Sequence, residues 1–597
     1  MQGNKGIRMI SKLLMSTKRL CSSRRIVLIA VLMGMGLTLP SLGFGLLLDD
    51  YLHYTVLKGV SQGAELFESR WHIFNFVDTD SVHSQKLIDY GILPWWTSET
   101  LKLKFWRPVT VATHVLDYEL WPDVPMLMHA QSILWYGLCI AMVGLVYRRL
   151  MGTTWVAGLA VLMYAMDDAH SIPAGWLANR NTLVAGAFGF AVLWAHDKWR
   201  KDGLNAYAVV AWLMLLMGLL AKEATLSVCA YLFAYALFLD KGRFVTRFMT
   251  LVPYGLIVVG WRVVYSGLGY GAIGSDTYVD PVHNPIIFAK AVFMRMPPML
   301  FDQMLVSTSE PFMFLPPHLQ WVHWGIGVVG CGVVGWVLWR KIGQDPMARF
   351  FAVGMVLALI PSCATFPSSR LLFFSGLGGL GLIALYLGRV MEEREGGKKV
   401  RAIWGKVFFL LHGLLAPFAY VGRMLLFAGL GLLMQNTIAT APLDIEGLEE
   451  KTVIGLNAPN IFYTSYIPLM RDAVGKSVPK DVRSFAPLNP LPVPIHLERE
   501  DEDTMVARPD GGYPWYLARS MDDPFAVGDV VTLPGLDIEV REVNEQGRPM
   551  VAAFHFAYSL DDERYVWLRF EGNVFLRWDM IGVGEKVRVH AGGMEAE

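Results

Sequence analysis

Ionisable side chains in this chain gather at the ends of its apolar runs. Asp49 and Asp50 close the first run, Arg107 and Asp117 precede the second, and Asp167 and Asp168 end the third. Arg180 opens the fourth, Lys222 and Glu223 separate the fifth from the sixth, and Arg370 lies between the ninth and the tenth. Charge is expensive in hydrocarbon, so its placement in such a chain is informative. Ionisable groups that meet at one depth, with run interiors almost free of charge, point to chemistry at a lipid–water boundary. A secondary transporter instead carries polar groups near the membrane midplane on broken helices, often with internal symmetry. The sequence has neither feature.

The elements that must position these groups are membrane helices. Of 597 residues, 54% are hydrophobic and 17% charged, and mean hydropathy is +0.39. An average globular chain is about 25% charged, so a disordered chain is excluded and a wholly soluble enzyme is disfavoured. The 52 basic residues balance 52 acidic ones, leaving no net field for nucleic acid. A spanning helix needs roughly 20 apolar residues. Eleven stretches qualify, near 26–48, 127–147, 153–167, 182–196, 205–221, 224–239, 247–266, 321–339, 350–364, 371–388 and 406–434. The last is overlong and contains Arg423, which suggests an interfacial helix followed by a span.

Basic residues set the orientation. Lys5, Arg8, Lys12, Lys18, Arg19, Arg24 and Arg25 fill the segment 1–25, and alternate later loops carry Arg148, Arg149, Lys198, Lys241, Arg340, Arg389, Arg394 and Lys398 among others. A cytoplasmic N-terminus follows, with the C-terminus on the opposite side. The first run is longer than a signal-peptide core and lacks an A-x-A site, so it reads as a retained helix. The organisation is then a basic tail at 1–25, a multispan domain at 26–440 with exoplasmic loops 49–125 and 267–320, and an exoplasmic domain at 445–597. Absence of N-x-S/T sequons in the exoplasmic segments favours a bacterial inner membrane, with the last domain periplasmic.

That last domain reads as α+β. A strand is expected at 452–457, a helix at 460–474, and strands at Asp537–Val543, Met550–Ala557 and Tyr565–Phe570. Pro479, Pro487, Pro490, Pro492 and Pro494 mark an irregular connection. Cys21, Cys139, Cys229, Cys331 and Cys363 avoid the large exoplasmic segments, so no disulfide framework or zinc site is expected. Trp71, Trp95, Trp96 and Trp106 suit an interfacial aromatic belt, and 286–305 suits an amphipathic helix lying on the membrane.

Several motifs resemble the GT-C superfamily of polyprenyl-phosphate-sugar glycosyltransferases, in its protein O-mannosyltransferase-like branch. Asp49-Asp50-Tyr51 resembles the acidic pair after the first span of that family. Phe105-Trp106-Arg107-Pro108, continuing to Asp117-Tyr118 and Leu120-Trp121, is similar to its "YRPL…LDYxLW" segment, and His129 stands where that branch opens its second span. His170 through Trp176-Leu177-Ala178-Asn179-Arg180-Asn181 is similar to "HP…VAWIAGRKD", Leu219-Leu220-Ala221-Lys222-Glu223 to "LLSKE", and Arg370-Leu371 through Gly376 to "RYLYLPSLG". The correspondence runs in order over about residues 25–390. Departures are the missing Pro after His170, Asn179 for Gly, and the missing Tyr after Arg370.

The resemblance implies a polytopic all-α membrane fold of about 11 spans carrying the α+β domain. It implies transfer of a sugar from a polyprenyl-phosphate donor, amid membrane lipids, to an exoplasmic protein, lipid or glycan acceptor, with inversion. Asp50, and after it Asp49, is the expected base toward the acceptor hydroxyl, or the two together bind a divalent cation through oxygen. Arg107, Arg370, Arg180 and Lys222 are expected on the donor phosphate, because guanidinium pairs bidentately with phosphate oxygens. Glu223 is expected to pair with one of these cations. Asp117 is expected to orient Arg107, to meet the acceptor, or simply to be solvated, while His53, His114 and His170 are supporting groups. Arg and Lys at helix ends also commonly snorkel to the interface, and Asp167 and Asp168 read as a helix end facing water. Two other classes compete: a transporter or flippase of a lipid-linked intermediate, and a non-catalytic membrane scaffold.

Overall fold

The computed structural model describes residues 18–59, 69–78, 82–392, 399–489, 492–514 and 517–596. Lys5, Arg8, Lys12, Arg394, Lys398 and Pro490 lie outside the described residues. Each of the eleven expected stretches coincides with helix. Six helices are long and apolar enough to cross a membrane: Ile26–Gly43, Pro125–Met151, Phe244–Gly267, Pro317–Gln344, Pro346–Ala364 and Lys399–Ala439. Trp155–Ala165, Ala206–Leu219 and Glu223–Phe238 are shorter and apolar, and Arg180–Asp202 and Ser375–Glu392 complete the set. This is a polytopic membrane protein with a β-rich C-terminal part.

Two ends differ from expectation. The first helix stops being α-helical at Thr38 and closes with a 3-10 turn to Gly43, rather than reaching residue 48. Pro40 explains it, since proline supplies no amide to the α-helical ladder. The overlong last stretch extends beyond 406–434 at both ends. It is helical throughout Lys399–Ala439, with a π-turn at Leu410–Leu415 absorbing the irregularity.

The chain divides into two compact units. The first comprises Met1–Gly45, Trp106–Leu268 and Pro285–Phe427. Within it Pro125–Met151 packs on Ile26–Thr38, Trp155–Ala165 and Arg180–Asp202, while Ser375–Glu392 packs on Pro346–Ala358. Small residues allow the close approach that drives helix association in lipid: a Cβ added at Gly378 would fall 2.4 Å from the Phe351 carbonyl oxygen. Buried tyrosines tie helices together, Tyr147 Oη donating to the Leu377 carbonyl at 2.6 Å and Tyr231 Oη to that of Phe374 at 2.8 Å.

The second unit comprises Leu46–Phe105, Gly269–Asn284 and Ala428–Glu597. Strands β1 (Asn75–Asp78), β2 (Lys102–Lys104) and β3 (Gly271–Ile273) form an antiparallel sheet from the two long loops. Strand β4 (Thr452–Gly455) runs through short helices at Phe462–Ser465 and Ile467–Ala473 into parallel β5 (Asp481–Ser484). Strands β6 (Ile495–Arg499) and β7 (Thr504–Pro509) follow, then β8 (Val530–Leu533), β9 (Leu536–Val543) and β10 (Pro549–Phe556). The chain ends with β11 (Tyr565–Glu571), β12 (Val574–Arg577), β13 (Lys586–His590) and β14 (Gly593–Ala596). A four-stranded mixed sheet has the order β12-β11-β4-β5, and a seven-stranded one β14-β13-β6-β7-β10-β9-β8. Alternation along Leu536–Val543 buries Leu536, Ile538 and Val540 and exposes Asp537 and Arg541, the period-two pattern of a strand.

The core of this unit corrects the reading of two tryptophans as an interfacial belt. Trp95 is 6% exposed and Trp96 fully buried, with Trp95 against Tyr513 at 5.1 Å and Phe525 at 5.9 Å. Arg519 Nε donates to the Trp96 carbonyl at 2.9 Å. An aromatic pair in a loop sequence does not reveal whether lipid or protein covers it. Trp71, by contrast, is exposed.

Candidate functional site

The acidic pair lies on a tight turn in the second unit. Asp50 begins the helix Asp50–Lys58, and its Oδ2 accepts from the Leu47 amide at 2.9 Å. Leu48, between them, has φ of +47°, a left-handed conformation disfavoured for a side chain with a Cβ. The turn is thus held by Asp50, which is 2% exposed. Asp49 is half-buried, and its Oδ1 accepts from Tyr466 Oη at 3.1 Å. Burial first, then the Asp49 charge, raises the Tyr466 phenol, keeping it a donor. His53 is buried one turn further on, its ring edge-on to Phe74 at 5.2 Å. The two carboxylates do not fit a divalent cation by themselves. One oxygen of each already accepts a protein hydrogen bond, and among the described residues no group of three or more His, Cys, Asp or Glu is disposed to hold a metal.

Three of the four expected phosphate ligands come together in the first unit. Arg107 precedes Pro108, which opens the helix Pro108–Leu120. Its Nε and Nη2 donate to Glu223 Oε2 at 3.0 and 2.8 Å, the partnership expected for Glu223. The segment before Lys222 is pinned to that helix: Val109 N donates to the Leu220 carbonyl at 3.1 Å and Thr110 Oγ1 to that of Ala221 at 2.9 Å. Lys222 is extended, and its Nζ donates to Thr182 Oγ1 at 2.7 Å. Burial, then the charges of Arg107 and Arg370, hold its ammonium well below the usual lysine range. Arg370 lies in the turn Ser369–Leu371 with its guanidinium over the rings of Phe366, at 5.2 Å, and Trp176, at 5.6 Å. Among the described residues it has neither an ion pair nor a hydrogen-bond acceptor. The cluster therefore gathers three basic side chains around one carboxylate.

Arg180 is placed otherwise. It and Asp117 are completely buried and meet at 2.5 Å. Arg180 also donates to Ser132 Oγ at 2.9 Å, to the Met128 carbonyl at 2.8 Å and to Gln131. This guanidinium is saturated by protein acceptors, not presented to a ligand. Asp117 is accordingly neither solvated nor the partner of Arg107: it sits on a helix and neutralises Arg180. His170 is likewise structural in its surroundings, Nδ1 donating to the Tyr164 carbonyl at 3.0 Å with the Phe373 ring 4.6 Å away. Burial lowers its pKa to about 3, keeping the ring neutral. His114 is buried on the face of Pro108–Leu120 that carries Asp117.

A further polar layer was not anticipated. Asp167 and Asp168, expected to face water, are 4% and 3% exposed. Asp168 Oδ2 pairs with Arg423 Nε at 3.1 Å, and Asp302 lies 3.9 Å from the same guanidinium. Arg423 also donates to Ser369 Oγ and the Ser307 carbonyl. Gln303 bridges Asp167 to Ser375 at 3.2 and 2.9 Å, and Glu310 accepts from the Ser369 amide at 2.7 Å. Burial raises both Asp167 and Asp168, and the Asp167 charge raises Asp168 further. The signal was Arg423 itself: an arginine inside an apolar run needs buried carboxylates, and the nearest unexplained ones followed the third run.

No family model matches this chain, and no curated protein does. Solved structures to which this chain shows similarity include the Archaeoglobus fulgidus oligosaccharyltransferase tethered with an acceptor peptide containing the NVT sequon. It is 13% identical with a TM-score of 0.38, covering 78% of this chain and 63% of that one. Archaeal oligosaccharyltransferase AglB from the same organism, in complex with an inhibitory peptide and a dolichol-phosphate, is 10% identical with a TM-score of 0.39 over 78% and 64%. ArnT from Cupriavidus metallidurans bound to undecaprenyl phosphate is 14% identical with a TM-score of 0.38 over 76% and 86%. The chain spans a little under two thirds of the two archaeal proteins' length.

Proposed function

We propose that this protein is a membrane glycosyltransferase that moves a sugar from a polyprenyl-phosphate donor to an acceptor hydroxyl. The observation that carries this reading is the Arg107–Lys222–Arg370 cluster, in which a half-buried lysine lies in the field of two arginines. A half-buried excess of basic groups calls for an anion, and a guanidinium is suited to phosphate oxygens. Arg370, oriented by two aromatic rings, and Lys222 hold the donor phosphate; Glu223 fixes Arg107 beside them. As the anomeric carbon–oxygen bond breaks, the bonding pair goes to the lipid phosphate, and these cations stabilise that charge. The acceptor oxygen bonds to the anomeric carbon and yields its proton to a carboxylate, with inversion.

Asp49 takes that proton and Asp50 holds the turn, because Asp49 is the more accessible of the two. This reverses the order that the sequence favours. Arg180 is a positioning residue locked to Asp117. Charge asymmetry along the chain supports a cytoplasmic N-terminus and a periplasmic C-terminal domain at a bacterial inner membrane. Two partners of Arg423, Asp168 and Ser369, lie on short turns beyond helix ends, which favours boundary chemistry over a flippase with a polar midplane.

The test follows label from a radiolabelled polyprenyl-phosphate sugar in membranes of matched expression. Arg370→Ala is expected to weaken donor binding and turnover at least tenfold, and Asp49→Asn to remove turnover while donor binding persists. Wild-type membranes that leave a panel of such donors intact would sink the reading.

A further inference from the structure

The second unit holds a cleft of about 610 Å³ between its four-stranded sheet and the β8–β9 turn of its seven-stranded sheet. That volume falls in the range of roughly 300–1,000 Å³ usual for small-molecule sites. Asp481 and Arg483, alternate residues of strand β5, line it with Lys480, Tyr558, Arg564 and Tyr565. Arg483 is 5% exposed and oriented by its own structure, donating to the Val482 carbonyl at 2.9 Å and the Pro534 carbonyl at 3.3 Å. Asp481 is 6% exposed. Its Oδ2 lies 3.6 Å from Arg483 Nη2, and its Oδ1 has no hydrogen-bond partner among the described residues. A buried carboxylate oxygen without a donor is costly, so a ligand hydroxyl would complete it.

The lining also says what kind of ligand. Four acidic and four basic side chains cancel, which disfavours a phosphate or a polyanion and favours a neutral molecule rich in hydroxyls. Tyr558, half exposed with Arg564 over one face at 3.4 Å, offers an aromatic platform for a sugar's C–H face. An added peptide strand is excluded at β5, because Gly91 abuts that edge: a Cβ on Gly91 would lie 1.8 Å from the Val482 carbonyl oxygen. We infer that this cleft binds a neutral saccharide chain, with Asp481 and Arg483 reading its hydroxyls and Tyr558 stacking on a ring. The site stands without the transferase reading; with it, this is where a glycan acceptor is retained.

The experiment titrates cellotetraose, mannotetraose and chitotetraose against the full-length protein in nanodiscs, read by saturation-transfer NMR. At least one sugar is expected to bind saturably. Tyr558→Ala, a change at an exposed side chain, and Asp481→Asn are each expected to weaken it tenfold or more, while Met521→Ala, at an exposed side chain outside the cleft, leaves it unchanged. Three silent sugars, wild-type affinity in both cleft variants, or tighter binding of inorganic phosphate or tetraglycine would each overturn the proposal. Sugar binding that persists where donor turnover is absent would count against the transferase reading alone.

Discussion

Asp49 and Asp50 are adjacent in sequence yet differ in everything that decides a role. Asp50 spends an oxygen on the Leu47 amide and steadies the left-handed Leu48, whereas Asp49 is half-buried and bonded by a phenol. Asp50→Asn is therefore expected to lower thermal stability, because an amide in either orientation pairs less strongly with that backbone donor, and to retain part of the turnover. Asp49→Asn is expected to melt near wild type and turn over no donor. A sequence shows the pair but not which carboxylate closes the turn. Asp117 and Arg180 make the same point. Both are legible as ionisable groups near helix ends, but their union is a long-range contact between two helices. Breaking a buried ion pair from one side costs about 3–5 kcal/mol. Asp117→Ala should thus unfold more readily in detergent melts by that order, and Asp117→Leu with Arg180→Met should recover much of the loss.

At the scale of the element, periodicity and apolar length were enough to locate all eleven helical stretches, but only four of the eleven strands described beyond residue 445, namely β4, β9, β10 and β11. What they missed were the local devices: the proline-driven 3-10 turn at Leu39–Gly43 and the π-turn at Leu410–Leu415. Such features change the hydrogen-bond step without changing hydropathy. Close helix contacts are equally hidden. Gly378→Val would drive a side chain into the Phe351 carbonyl, so a lower melting temperature and faster proteolysis are expected, against a near-silent Gly332→Val, where the added Cβ meets open space. The turn after Trp155–Ala165 carries a pH dependence. Folding raises the Asp167 and Asp168 carboxyls, so the folded protein holds their protons more tightly than the unfolded chain. Their contribution is complete below the ordinary carboxylate range and is lost as pH rises toward and through neutrality. Melting temperature should fall over that interval, and Asp168→Asn should flatten the fall.

For the whole molecule, the sequence suggested a membrane body with a C-terminal appendage at 445–597, whereas the second compact unit also takes in Leu46–Phe105 and Gly269–Asn284. Composition marks where hydrophobic runs stop, but not which distant loop a β-domain will pack upon. Trp96, fully buried beneath Tyr513, is the test. Removing such a side chain costs about 3–5 kcal/mol, so Trp96→Ala is expected to render the β-rich unit protease-sensitive while the first unit's helices keep their circular dichroism. Deleting 445–597 should likewise leave Leu46–Phe105 degraded.

That shared core also sets an order of events during synthesis. Trp96 and Arg519 are 423 residues apart, and at about 5–20 residues per second a ribosome takes roughly 20–85 seconds to cover that distance. Through that interval the early loop has been made, but the surface that will cover its tryptophans has not. The buried position of Trp96 is therefore reached only once Tyr513 and Arg519 have been made.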